Sequence, residues 1–160
     1  MGFINSYEKA ISIIEEIFSK DYQFALATAV DNIPTLRFVD AYFDKGSFYI
    51  VTNEKTNKVK HISVNPNVSL CSRMGYTFSG KAYNIGHPLL PENCEIRTKL
   101  INAFETWYFK HNNENDSICI LRIDLENGFV HKNGIGYNVD FINETVESFS
   151  FVFDTVLTNE

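Results

Sequence analysis

A length of 160 residues, 44% of them hydrophobic and 21% charged, suits one soluble globular domain with a single core and no second domain. Fourteen basic against 20 acidic residues give a net charge of −6, which excludes the basic footprint of a nucleic-acid or anionic-membrane binder, so any anionic ligand needs a local site. With 14 Phe, 8 Tyr and 1 Trp, the core is expected to be strand-rich and aromatic.

A helix is predicted over residues 6–19, where Tyr7, Ile11, Ile14 and Phe18 recur at helical spacing and Asn5 with Glu8 has the pattern of a capping box. Residues 22–30 are apolar on both parities, with Phe24, Leu26 and Val30 on one side and Ala25, Ala27 and Ala29 on the other. That pattern predicts a strand buried on both faces. The alanines either pack plainly or let something bulky approach. A turn at Asp31-Asn32-Ile33-Pro34, a strand over 35–43, a tight turn at Asp44-Lys45-Gly46 and a strand over 47–52 make an antiparallel meander. Parity sets Arg37 with Val39 and Ala41, and Phe38 and Tyr42 with Asp40 on the other face. An arginine so placed either meets an anion or snorkels to solvent.

A short helix then runs to residue 64 with Val59 and Ile62 inward, closed by Asn65-Pro66. Strands follow over 68–72 and 76–83, and Pro88 and Pro91 interrupt the pattern. Residues 92–109 read as one helix with Ile96, Leu100, Ala103 and Trp107 on one face. A loop over 111–116 precedes a strand over 117–130, and residues 137–142 are expected to be the last barrel strand. In the tail, Phe149, Phe151 and Phe153 fall on one side, as an edge strand or a partner contact. Gly134-Ile135-Gly136 is expected as a hairpin turn. Six or more strands with helices outside argue for a small barrel, because closure removes exposed edges.

Cys71, Cys94 and Cys119 are odd in number and lack metal-like spacing, so free thiols in a reducing cytoplasm are expected. His61, His87, His111 and His131 show no ligand spacing and are read as surface or loop residues, with no metal site. No stretch has the roughly 18 consecutive apolar residues of a membrane helix. The amino terminus has neither a basic region nor a long apolar run, so no signal peptide is expected.

Residues 48–60 turn abruptly from an apolar strand pattern into a polar helix start. Free amides and the positive helix end can hold a phosphate there, with Thr52, Asn53, Thr56 and Asn57 as neutral donors and Lys58 as a charge. A solvated helix cap is the alternative. The order of features is a buried strand, a strand carrying Arg37, a strand ending in Val51-Thr52-Asn53, Thr56-Asn57-Lys58 at a helix start, then Asn65-Pro66. It resembles the pyridoxamine 5′-phosphate oxidase-like family of FMN-binding split barrels, in particular its short general-stress-protein branch, over about residues 24–83.

The resemblance implies a single domain over residues 1–160, mainly β with flanking helices. It would be a six- to seven-stranded antiparallel split β-barrel, with its core at 22–84 and 117–143. It also implies a homodimer with FMN at the interface. Arg37-Phe38-Val39 match the strand segment lying along the flavin, and Val51-Thr52 the segment at the ring and ribityl chain. Thr56-Asn57-Lys58 match the family's phosphate-binding Ser-Arg-Lys run, but Asn57 gives up an arginine's bidentate charge. Tyr76 and Thr77 lie on a strand that reaches the partner's flavin in such barrels, and Trp107 is a candidate for the ring across the interface. Plain strand packing is the alternative for Tyr76 and Thr77, and a core or dimer contact for Trp107.

The implied activity is that of an FMN-dependent oxidoreductase, its flavin reduced by a nicotinamide or similar donor and reoxidised by a small acceptor. Oxidation of pyridoxamine 5′-phosphate is not expected, because residues 149–160 lack the family's Arg-Leu-x-Pro segment. No general acid or base stands out. A flavin-binding or flavin-sensing dimer without turnover, or a haem-binding barrel, is the alternative.

Overall fold

The computed structural model describes residues 5–111 and 114–154. Helix α1 (Ser6–Phe18) opens on the expected capping box: the Asn5 side chain accepts from the Glu8 amide at 2.8 Å, and Glu8 accepts from the Asn5 amide at 3.1 Å. Strands β1 (Tyr22–Val30), β2 (Ile33–Asp44) and β3 (Ser47–Asn53) form the meander, and α2 (Asn57–Val64) follows. Then come β4 (Asn67–Cys71), β5 (Thr77–Asn84), α3 (Cys94–Ala103), α4 (Tyr108–His111), β6 (Ile118–Lys132), β7 (Ile135–Asp140) and β8 (Thr145–Ser150). All strand pairs are antiparallel, in the order β3-β2-β1-β4-β5-β6-β7-β8, and a further β3–β6 pairing closes the first six into a barrel.

Four expectations change. The strand expected over 137–142 is β7, and it lies outside the barrel. One edge of the 15-residue β6 pairs with β3 from Ile118 to Asp124 and with β7 from Asn127 to Lys132, so β6 closes the barrel and then leaves it. β8 pairs on β7, which makes the tail an edge strand. The helix expected over 92–109 breaks after Ala103; the turn lets Trp107 stack on Phe104 at 4.6 Å, and Leu100, Phe104 and Tyr108 stay buried. The hairpin turn is Asn133-Gly134, both at positive φ, while Gly136 lies in β7, where a Cβ would come 2.8 Å from the Phe149 ring.

The fourth change concerns β1. Its Phe24, Leu26 and Thr28 are buried inside the barrel, but Ala25, Ala27 and Ala29 face outward and are only half covered. Beside them on β2 stand Leu36 and Phe38, 69% and 71% exposed.

Inside the barrel, the Phe18 ring from α1 is surrounded by Tyr22, Phe24, Phe48, Tyr76 and Phe78 at centroid distances of 4.6–5.6 Å. Such edge-to-face and offset contacts add to the burial energy and fix α1 over the barrel. A second, smaller core of Leu100, Phe104, Tyr108 and Ile120 joins α3 and α4 to the outer faces of β3 and β6. Both faces of β6 are thereby buried along its first half.

Candidate functional site

A cleft opens where β2 and β3 stop pairing. Their ladder holds only from Asp44↔Ser47 to Tyr42↔Tyr49, although β2 stays paired to β1 as far as Ile33 and β3 to β6 as far as Asn53. The facing edges therefore diverge with their backbone groups unpaired between the strands, which in a folded domain is a place for water or a ligand. The gap is a hollow of about 580 Å³, lined by Phe38, Val39 and Asp40 on one side, residues 50–53 on the other, and Lys58, Trp107, Asn115 and Ile118. That volume is in the range of small-molecule sites.

The helix α2 begins at the foot of the cleft. Its first residue is Asn57, and the capping residue Thr56 spends its hydroxyl on the Asn53 carbonyl at 2.8 Å, so the first-turn amides have no side-chain acceptor. Lys58 Nζ donates to Thr52 Oγ1 at 2.9 Å and Thr56 Oγ1 at 3.4 Å. Arg37, on the inward parity of β2, donates to Thr28 Oγ1 at 2.6 Å and to the carbonyls of Thr35 and Leu26 at 3.2 and 3.4 Å. His61 of α2 lies 3.4 Å from the same guanidinium and 2.9 Å from Thr28 Oγ1. Burial, and then the Arg37 charge, lowers the proton affinity of Lys58. Among the described residues neither cation has a carboxylate partner. Two neighbouring, partly buried positive charges, with no carboxylate partner among the described residues, therefore stand beside open helix amides.

At the other end stand Asp40 and Trp107. The Trp107 indole N–H donates to Asp21 Oδ2 at 2.7 Å, and burial followed by the Asp21 charge raises the Asp40 carboxyl above the usual carboxylate range. The sequence considered Trp107 for a ring across an interface; it lines the cleft of its own chain.

Phe38, Val39, Val51, Thr52 and Lys58 thus line one cleft, and Arg37, Thr56 and Asn57 surround its foot. Tyr76 and Thr77 do not join them. The Tyr76 ring packs on Phe18 and on His131, and Thr77 lines a separate hollow of about 730 Å³ over β4 to β8. That hollow is the larger, yet no lysine or arginine lines it. The histidines also differ from expectation: His61 belongs to the shell that holds Arg37, and His131 is a strand residue packed against Tyr76 and Phe151. The side chain of His111 lies outside the described residues. Asp40 was missed as a site residue, although its shared parity with Phe38 was a usable signal.

The family description "pyridoxamine 5′-phosphate oxidase" matches residues 13–132. No curated protein matches the sequence. Among solved structures, General Stress Protein 26 from Bacillus anthracis str. Sterne superposes with a TM-score of 0.55 at 18% identity, covering 77% of this chain and 91% of its own. A pyridoxamine 5′-phosphate oxidase-related, FMN-binding protein from Nostoc punctiforme PCC 73102 gives 0.54 at 12% identity, covering 95% of this chain and 100% of its own. A heme binding protein from Mycobacterium smegmatis gives 0.61 at 15% identity, covering 94% of this chain and 60% of its own. At such identities the structures speak for the fold, and with a family match that takes in the barrel from β1 to β6, the protein belongs to the pyridoxamine 5′-phosphate oxidase family.

Proposed function

We propose that the cleft binds flavin mononucleotide and that the protein is an FMN-dependent oxidoreductase. The observation that carries this is the pair Arg37 and Lys58, without a carboxylate partner among the described residues, at the open start of α2. A phosphate there gains charge-assisted hydrogen bonds from Lys58 and the helix amides, backed by the Arg37 charge. The diverging edges of β2 and β3 offer backbone donors and acceptors to the polar rim of a planar ring, and Val51 offers it apolar support. When bound, the flavin supplies hydride chemistry that no side chain here can supply; the protein's part is to hold, orient and shield.

The same residues favour flavin over haem. Haem iron takes an axial His, Cys, Met or Tyr, and none of these is among the residues lining the cleft. A reduced nicotinamide or similar donor is the proposed reductant and a small molecule the acceptor, in the cytoplasm. No helix among the described residues is long and apolar enough to cross a membrane.

A second copy of the chain is the proposed cover for the half-open site. The apolar outer face of β1 and β2, with Leu36 and Phe38 exposed beside three half-covered alanines, continues directly into the cleft through Phe38. In that dimer Tyr76 and Thr77 would approach the flavin held by the other subunit. Mass spectrometry of the co-purifying cofactor tests the proposal, with FMN expected and a bleached flavin spectrum on anaerobic addition of NADH or NADPH. Protein that takes up no FMN from excess, with Arg37→Ala and Lys58→Ala changing nothing, would overturn it.

A further inference from the structure

Thr28 follows Phe24 and Leu26 on the inward parity of β1 and is only 1% exposed, so its hydroxyl must find partners inside the protein. Arg37 Nη1 donates to Oγ1 at 2.6 Å, and His61 Nδ1 lies 2.9 Å from the same oxygen. A guanidinium only donates, so Oγ1 accepts from Arg37 and its own hydrogen is left for His61. Nδ1 must then carry a lone pair, and Arg37 Nη2, at 3.4 Å, requires the same of it. One form of the ring meets both contacts, the neutral imidazole with its hydrogen on Nε2.

These contacts grip the guanidinium by one end. Nη1 is occupied by Thr28 and by the carbonyls of Thr35 and Leu26, and His61, bonded to Thr28, meets Nη2 from the same side. Among the described residues no acceptor meets Nε. The Nε–Nη2 edge, whose parallel N–H groups can hold an oxyanion at two points, is therefore open. Burial disfavours the charge of Arg37, and with His61 neutral none of these partners offsets it. His61 stands one turn after Lys58 on α2, so a single helix carries one cation of the site and steadies the other.

We propose that Thr28 and His61 are positioning residues of the phosphate site: the Thr28 hydroxyl and a neutral His61 hold the Arg37 fork by one end, so that its Nε–Nη2 edge meets the phosphate already oriented. This rests on a flavin phosphate occupying the foot of the cleft. A side chain held in place before binding loses less rotamer freedom when the ligand arrives, and the difference appears as affinity. Neither residue touches the ligand; both act through Arg37.

The test is a pair of double-mutant cycles read as FMN affinity. His61→Leu and Thr28→Val each remove a contact to the guanidinium while keeping apolar bulk, and each should weaken FMN binding about three- to tenfold, the contribution of one neutral hydrogen bond. His61→Asn, whose side-chain oxygen can accept in place of Nδ1, should bind within about twofold of wild type. Beside Arg37→Ala, His61→Leu and Thr28→Val should each change the affinity by less than about twofold, because no fork is left to position. Ring-nitrogen NMR of the free protein should show His61 Nδ1 without a hydrogen, a readout that needs no ligand. Four results would each overturn the proposal: both variants, folded by their melting curves, bind FMN as wild type does; their losses persist in full beside Arg37→Ala; His61→Asn binds as weakly as His61→Leu; or His61 carries its hydrogen on Nδ1. Should the buried Thr28→Val fail to fold, the His61 cycle decides alone. If the wild type takes no FMN, the flavin reading fails by itself, and the cycles are read instead by isothermal titration with inorganic phosphate; a wild type that binds no phosphate would overturn the positioning role as well.

Discussion

Lys58 stands under two influences that disfavour its charge, burial and Arg37. In the proposed complex a phosphate would offset both by pairing with the charge, so FMN binding should depend strongly on this lysine. Lys58→Ala and Arg37→Ala are each expected to weaken FMN binding about 10- to 100-fold, the equivalent of about 1.5–3 kcal/mol per lost charge-assisted bond. Isothermal titration with a parallel melting curve separates that loss from unfolding. Because the lysine's value is lowered, its charge is lost at a lower pH than the ordinary lysine range of about 10.4. FMN affinity should therefore decline as pH rises toward that range, and Lys58→Ala should flatten the decline. Cys119, a neighbour of Lys58 on β6, differs in kind: burial pushes its thiol up to about 11. At neutral pH it should resist iodoacetamide while exposed Cys94 is modified, as peptide mass spectrometry of the native protein would show.

Two elements owe their places to single residues. The register between β5 and β6 shifts at Ser79/Gly80, and a Cβ on Gly80 would stand 2.1 Å from the Asp124 carbonyl oxygen. The nearest atoms are all backbone of Asp124 and Leu125, so no flexible side chain can yield. Gly80→Ala is expected to cost about 3 kcal/mol or more and to lower the melting temperature by about 6–12 °C. A melting curve within about 2 °C of wild type would show that the bulge can shift. On the opposite side, α3 and α4 are held by Glu114, which accepts from Arg97 at 2.7 and 3.0 Å and from the Tyr108 hydroxyl at 2.9 Å. Those bonds, Arg97 first, hold the Glu114 carboxyl below the usual carboxylate range. Its stabilisation is therefore present above the unfolded value of about 4.3 and is lost as pH falls through the lower folded value. Glu114→Gln should lower the neutral-pH stability by about 1–3 kcal/mol, and the gap from wild type should close progressively in acid, as urea melts across pH would reveal.

At the scale of the molecule, the sequence pattern of β1 and its exposure in one chain disagree, and the proposed second subunit would resolve the disagreement. Residues that are apolar on both faces of a strand need cover on both, yet Ala25, Ala27 and Ala29 are half open beside Leu36 and Phe38. Leu36→Glu places a charge in the centre of that face. Sedimentation velocity is expected to show a dimer for the wild type and a monomer for the variant, with FMN affinity reduced about tenfold or more because the cleft loses its cover. A dimeric Leu36→Glu protein would move the interface elsewhere.

What could be learned from the residues alone follows the range of the physics. The capping box at Asn5 and Glu8, the positive-φ turn at Lys45-Gly46, the alternation of β2 and the helix start after Thr56 are written within a few neighbouring positions. They were therefore legible, and the Thr52 to Lys58 end of the cleft, built from one strand end and the helix that follows, came with them. The remainder depends on meetings between distant segments. β3 closes on β6 across some 70 residues of chain, the splay of β2 from β3 arises from where each is paired on its other edge, and Trp107 reaches Asp21 from 86 residues away. Helical periodicity through residue 107 hid the break that turns the indole into the cleft, and strand parity placed Asp40 on the face of Phe38 without showing that the face opens. Such contacts leave no periodic or local trace, because their cost is chain closure and their return is packing. Only when the barrel shuts do Lys58 and Asp40 come to line one cleft.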